Sequence, residues 1–97
     1  MTIEEIKKVV IPIAKNYEIP KIALFGSVSK GINNESSDID FLIEKGAKIR
    51  DLWDLSDFVK TLEQTLNRNV DVITYSGVKN SLLAKSILDS EIVIYEA

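Results

Sequence analysis

Asp38 and Asp40 stand one residue apart in the stretch "ALFGSVSKGINNESSDIDFLIE", residues 23–44. In an extended strand, residues i and i+2 share a face, so the two carboxylates point the same way, about 6.6–6.8 Å apart along the backbone. Asp71 opens a second apolar run, "VDVIT", and β-pairing of the two runs would bring a third carboxylate to the same place. At 4 Å and an effective dielectric near 20, each pair of negative charges repels by about 4 kcal/mol. A cation between them removes that repulsion. Mg²⁺ takes oxygen ligands and keeps coordination sites for water and phosphate oxygens. The competing reading is a set of solvated acids at strand edges, which a lone D-x-D pattern fits equally well.

The second element is "GSVSKG", residues 26–31. A glycine at a strand end lets the backbone approach a ligand more closely than any residue with a side chain. The N–H groups of a helix start after it can bind an anion, helped by the helix dipole. Ser27 has a hydroxyl to donate to a phosphate, and Lys30 supplies a charge. Taken alone, the segment also fits a plain Gly/Ser turn between strands. It is neither a Walker A loop nor G-x-G-x-x-G. The two elements together, with a third acid on another strand, form the layout of metal-assisted phosphoryl or nucleotidyl transfer.

Composition narrows the chemistry further. The 97 residues contain no cysteine and no histidine, which removes disulfides, thiolate catalysis, Cys- or His-ligated zinc and the usual general base. Acid–base and metal chemistry must then rest on carboxylates and hard cations. With 12 basic and 15 acidic side chains the formal net charge is −3, which argues against a general nucleic-acid binder. No apolar run reaches the roughly 18 residues of a membrane span. The opening "MTIEEIKKVV" is acidic at once, unlike a signal peptide. The expected location is cytoplasmic.

The positioning elements follow from periodicity. Residues 2–17 read as a helix with Thr2 and Glu5 as a capping box and Ile3, Ile6, Val9, Val10 and Ile13 at helical spacing. Pro12 should kink this helix without ending it. A strand is expected at about 21–25, then a turn over 26–31 with a short helix starting near Ser27, then the polar loop "INNESS". "DIDFLIE" alternates, with Ile39, Phe41 and Ile43 on one face and Asp38, Asp40 and Leu42 on the other. Leu52, Leu55, Phe58, Val59, Leu62 and Leu66 predict an amphipathic helix from about 49 to 67. "VDVIT" is a third strand, and "SGVKNSLLAKSILDS" predicts one helix with Leu82, Leu83, Ile87 and Leu88 inward. "EIVIYE" is a last strand. Trp53 and Phe58 read as core or interface residues, and Tyr75 as a loop tyrosine with a second reading near the nucleotide base.

The order α-β-β-α-β-α-β predicts an α/β (α+β) fold: one domain over residues 1–97, a mixed sheet of about four strands packed against helices. The long helix suits a crossover between parallel strands, and the short "INNESS" connection suits antiparallel neighbours.

The run "FGSVSKGINNESSDIDFLI" resembles the signature of the DNA polymerase β-type nucleotidyltransferase superfamily, and most resembles its minimal members. Those carry Gly-Ser, ten residues, then Asp-x-Asp. Here Gly26-Ser27, residues 28–37 and Asp38-Ile39-Asp40 match that spacing, and Asp71 matches the later carboxylate. The resemblance implies that Asp38 and Asp40 bind Mg²⁺, that Asp71 completes the metal site and helps deprotonate the acceptor hydroxyl, and that Gly26 and Ser27 hold the nucleoside triphosphate. Ser29 and Lys30 depart from the family's commoner Ala-Arg; Lys30 keeps the charge but lacks the bidentate fork. Minimal members of this kind are antitoxins of type VII toxin–antitoxin pairs, which move AMP from ATP to a tyrosine of a HEPN-domain ribonuclease toxin. The expected partner is therefore such a toxin, in a hetero-oligomer. The alternatives are transfer to a small molecule such as an aminoglycoside, with a homodimer building the acceptor pocket, or a binding antitoxin with no catalysis.

Overall fold

The computed structural model of the chain describes residues 1–26 and 38–97. The turn and helix start expected after Gly26, the "INNESS" loop, and Ser27, Ser29 and Lys30 lie outside the described residues.

The chain starts with helix α1, Ile3–Asn16. The Thr2 hydroxyl accepts from the Glu5 N–H, and the Glu5 carboxylate accepts from the Thr2 N–H, so the capping box is complete. Pro12 lies within α1, which runs on for another turn to Asn16. Strands β1, Lys21–Phe25, and β2, Ile39–Glu44, pair antiparallel. Helix α2, Leu52–Leu66, then crosses over to strand β3, Val70–Thr74, which pairs parallel to β2. Strand β4, Ile92–Glu96, pairs antiparallel with the free side of β1. The sheet order is β3-β2-β1-β4. Both connection types expected from sequence are present.

The two sheet faces are covered unequally. Ile22, Leu24, Ile39, Phe41, Ile43 and Val70 point to one face and pack under Ile6, Val10 and Ala14 of α1 and Phe58, Leu62 and Leu66 of α2. Tyr17 meets Phe58 edge-on at 5.3 Å between ring centroids. The other face carries a smaller cluster of Ala23, Phe25 and Leu42 under Val78, with Ile87 packed against it.

The expected helix between β3 and β4 is two short ones, α3, Tyr75–Val78, and α4, Ala84–Asp89. The Thr74 hydroxyl caps α3, and the Ser81 hydroxyl accepts from the Leu83 N–H in the turn between them. This local bonding competes with helix propagation. It rotates Leu82, Leu83 and Leu88 out to solvent instead of inward, leaving Ile87 as the packed residue. A similar shift affects α2. It starts at Leu52 because the Asp51 carboxylate accepts from the Asp54 N–H, while Asp54 accepts from the Arg50 N–H and guanidinium. Leu52 and Trp53 consequently sit in the first turn, 81% and 82% exposed. Neither is core, contrary to the apolar periodicity for Leu52.

These positions separate by energy. Phe58→Ala should lower the unfolding free energy by about 3–5 kcal/mol through the lost contact and the cavity left behind. Leu82→Ala should change it by less than about 0.5 kcal/mol. Urea denaturation of the two variants measures the difference.

Candidate active site

Register decides where the acids go. In the β2/β3 pair, Asp40 is the direct partner of Asp71, and in the β1/β2 pair Asp40 is the partner of Phe25. Asp40 and Asp71 therefore share the less covered face, beyond Leu42 and Ile73, at the end of the sheet where β1 runs into Gly26. Asp38, just ahead of β2, is exposed and adds its negative charge to the same place. Asp40 is partly covered, while Asp71 is open to solvent.

The electrostatics follow from this crowding. Burial, the charge of Asp71 and then the charge of Asp38 push the Asp40 carboxyl up to about 6, and a hydrogen bond to Asp71 adds to the shift. The charges that act on Asp40 among the described residues are thus negative. Among the described residues, no group of three or more Asp or Glu side chains is already arranged to hold a metal ion. The donor set is nonetheless all carboxylate oxygen, the chemistry that Mg²⁺ prefers, and a neighbouring cation would reverse each of the charge effects that raise Asp40.

Gly26 closes the site on the β1 side. Its φ is +75°, in the region that favours glycine. A Cβ built there would lie 2.5 Å from Asp40 Oδ2, so only glycine lets the turn pass this close to the acid. Its N–H donates to Ser90 Oγ at 3.3 Å, and Ser90 Oγ–H donates to the Ile87 carbonyl at 3.0 Å. The sequence reading missed Ser90. Its signal is register: β1 and β4 pair Leu24 with Ile92, and carrying that pairing two residues further sets Gly26 opposite Ser90.

Three sequence-selected residues are thus brought together with Gly26, namely Asp38, Asp40 and Asp71. Tyr75 is not among them. It begins α3, four residues and about 13 Å of strand beyond Asp71. Its hydroxyl donates to Glu91 and Lys21 Nζ lies 4.7 Å from its ring centroid. Burial raises its pKa first, followed by the Glu91 hydrogen bond and charge and the charges of Glu44 and Glu96. It ties α3 to Glu91, the residue just ahead of β4.

Comparisons with known proteins fall in one direction. A family model described as "Polymerase beta, Nucleotidyltransferase" matches residues 5–97. A Methanocaldococcus jannaschii protein provisionally named a protein adenylyltransferase is 37% identical over 92 residues, covering 95% of this chain and 97% of its own. Among solved structures, a provisionally described minimal nucleotidyltransferase superposes with a TM-score of 0.76 at 26% identity, covering 95% of each chain. A chain from the complex of a tri-AMPylated Shewanella oneidensis HEPN toxin with its MNT antitoxin superposes with a TM-score of 0.69 at 17% identity. It covers 97% of this chain and 72% of that one, a likeness of fold.

The raised Asp40 carboxyl sets a pH dependence. Because its folded value, about 6, lies above the ordinary 3.8, the stability it contributes is fully present below about pH 4 and is lost as pH rises through about 6. In metal-free buffer, Asp40→Asn should therefore gain in urea midpoint over the wild type as pH goes from 4 to 7. A gap that stays constant across that range would contradict the assignment.

Proposed function

The chain belongs to the polymerase beta nucleotidyltransferase family, and on that footing we propose that it moves AMP from ATP to a hydroxyl of a partner protein. The observation that carries the reading is the convergence of Asp38, Asp40 and Asp71 beside Gly26 at one end of the sheet. We further propose a tyrosine of a HEPN-domain toxin as the acceptor, with the chain as the antitoxin of a cytoplasmic toxin–antitoxin pair. The names of the M. jannaschii relative and of the S. oneidensis complex support that choice.

In this reading residues 1–97 form one catalytic domain. Asp38, Asp40 and Asp71 would hold Mg²⁺, which when bound offsets the triphosphate charge and makes the acceptor hydroxyl more acidic. Gly26 gives the triphosphate close access to the backbone, with Ser27 and Lys30 as its hydroxyl and cationic partners. The acceptor oxygen attacks the α-phosphorus, its new P–O bond forms, and the bond to the bridging oxygen breaks to release pyrophosphate. The acceptor proton passes to a carboxylate oxygen of Asp71, the most solvent-accessible position for an incoming protein among the paired acids of β2 and β3. Asp40, held between neighbours that oppose its ionisation, gains most from a cation and so couples metal binding to deprotonation.

The test is direct. With Mg²⁺ and ATP labelled at the α-phosphate, the chain should label a tyrosine of its cognate HEPN-domain toxin. Asp38→Ala and chelation of the metal should each lower the rate by at least about a hundredfold. Wild-type labelling no greater than that of Asp38→Ala would overturn the proposal.

A further inference from the structure

Gly26 must do two things that pull against each other. It has to keep the φ of +75° that presents hydrogen instead of a side chain to Asp40. It is also the residue with the greatest backbone freedom, so nothing in its own chemistry holds that conformation. One restraint comes from 64 residues away. Ser90 Oγ accepts the Gly26 N–H while donating its own proton to the Ile87 carbonyl in the last turn of α4.

We propose that Ser90 is a positioning residue for the nucleotide turn, fixing the Gly26 backbone against Asp40 by tying it to the C-terminal end of α4. The proposal rests on the nucleotidyltransferase reading above. Ser90 reaches no reacting atom; it acts through Gly26. Donation to Ile87 directs the hydroxyl proton away from the turn and leaves a lone pair facing the glycine amide, so one oxygen serves both ends. Among the described residues the N-cap of α4 has no side-chain hydrogen bond, and Ile87 packs against the small cluster of Phe25 and Leu42. The strand end, the helix end and the acid are thereby linked through a half-buried hydroxyl.

A plain capping role for Ser90 would affect α4 alone, which separates the two explanations. Two variants, Ser90→Ala and Ser90→Thr, are compared with the wild type in thermal unfolding, in Gly26 amide exchange by NMR without nucleotide, and in Mg·ATP binding by calorimetry. Loss of one ordinary hydrogen bond should speed Gly26 exchange and weaken Mg·ATP binding by about fivefold in Ser90→Ala, and Ser90→Thr, which keeps the hydroxyl, should restore both. Unchanged Gly26 exchange in Ser90→Ala overturns the tether. Wild-type Mg·ATP affinity in Ser90→Ala, or equal weakening in Ser90→Thr, overturns the positioning role alone. A wild-type chain that binds no Mg·ATP overturns the nucleotidyltransferase reading, and this role with it.

Discussion

Two negative charges are held side by side in this protein by backbone pairing that cannot let them separate. Asp40 and Asp71 are direct partners across β2 and β3, and a slip of one residue would turn every side chain of one strand to the opposite face. That slip is blocked by the other face. Ile39, Phe41 and Ile43 alternate with the acid-bearing positions and are fully buried with Val70 under α1 and α2. Moving Asp40 away from Asp71 would therefore carry apolar side chains out of the core. Hydrophobic burial at about 25 cal/mol per Å² outweighs the repulsion of partly solvated charges. The crossover α2 exists in this architecture to make the parallel pairing available.

The unequal coverage of the sheet follows from the same constraint. A face bearing converged carboxylates cannot also be sealed by a large apolar layer without stranding charge away from water. The small cluster of Ala23, Phe25, Leu42 and Val78 is the buried apolar layer there. Among the described residues it leaves Asp38 and Asp71 exposed, with Tyr75 packed at its border. Burial on one face is what lets the chain hold Asp40 on the other among charges that oppose its ionisation.

Much of this was legible in the sequence because it rests on short-range signals. The capping box at Thr2, the alternation in "DIDFLIE" and the spacing of Phe58, Leu62 and Leu66 fixed elements that the structure contains within a few residues. The partnership of Asp71 with Asp40 was readable as a demand for β-pairing, though the pairing partner itself depends on the crossover. What the sequence hid was local competition. Leu82, Leu83 and Leu88 look like one face of a helix, yet the Ser81 hydroxyl bonds its own neighbourhood and divides the segment in two. Leu52 fits the helical period but falls in the first turn, where the Asp51 cap starts the helix. Ser90 was invisible for a different reason. A serine between "ILD" and "EIVIYE" carries no motif, and its meaning depends on the register of strands nearly the whole chain apart.

That separation has a consequence for the order of folding. The acids Asp38, Asp40 and Asp71 and the crossover between them lie within one continuous stretch ahead of β4, whereas β1 waits for pairings as distant as Lys21 with Glu96. Pairings that span most of a chain carry the largest loop-closure cost and form late. A folding chain can therefore have its charged cluster in place while the Gly26–Ser90 bond is unmade and one edge of β1 is bare. Pairing of β4 both completes the sheet and brings Ser90 to Gly26, so the order in which strands pair is also an order in which the site matures.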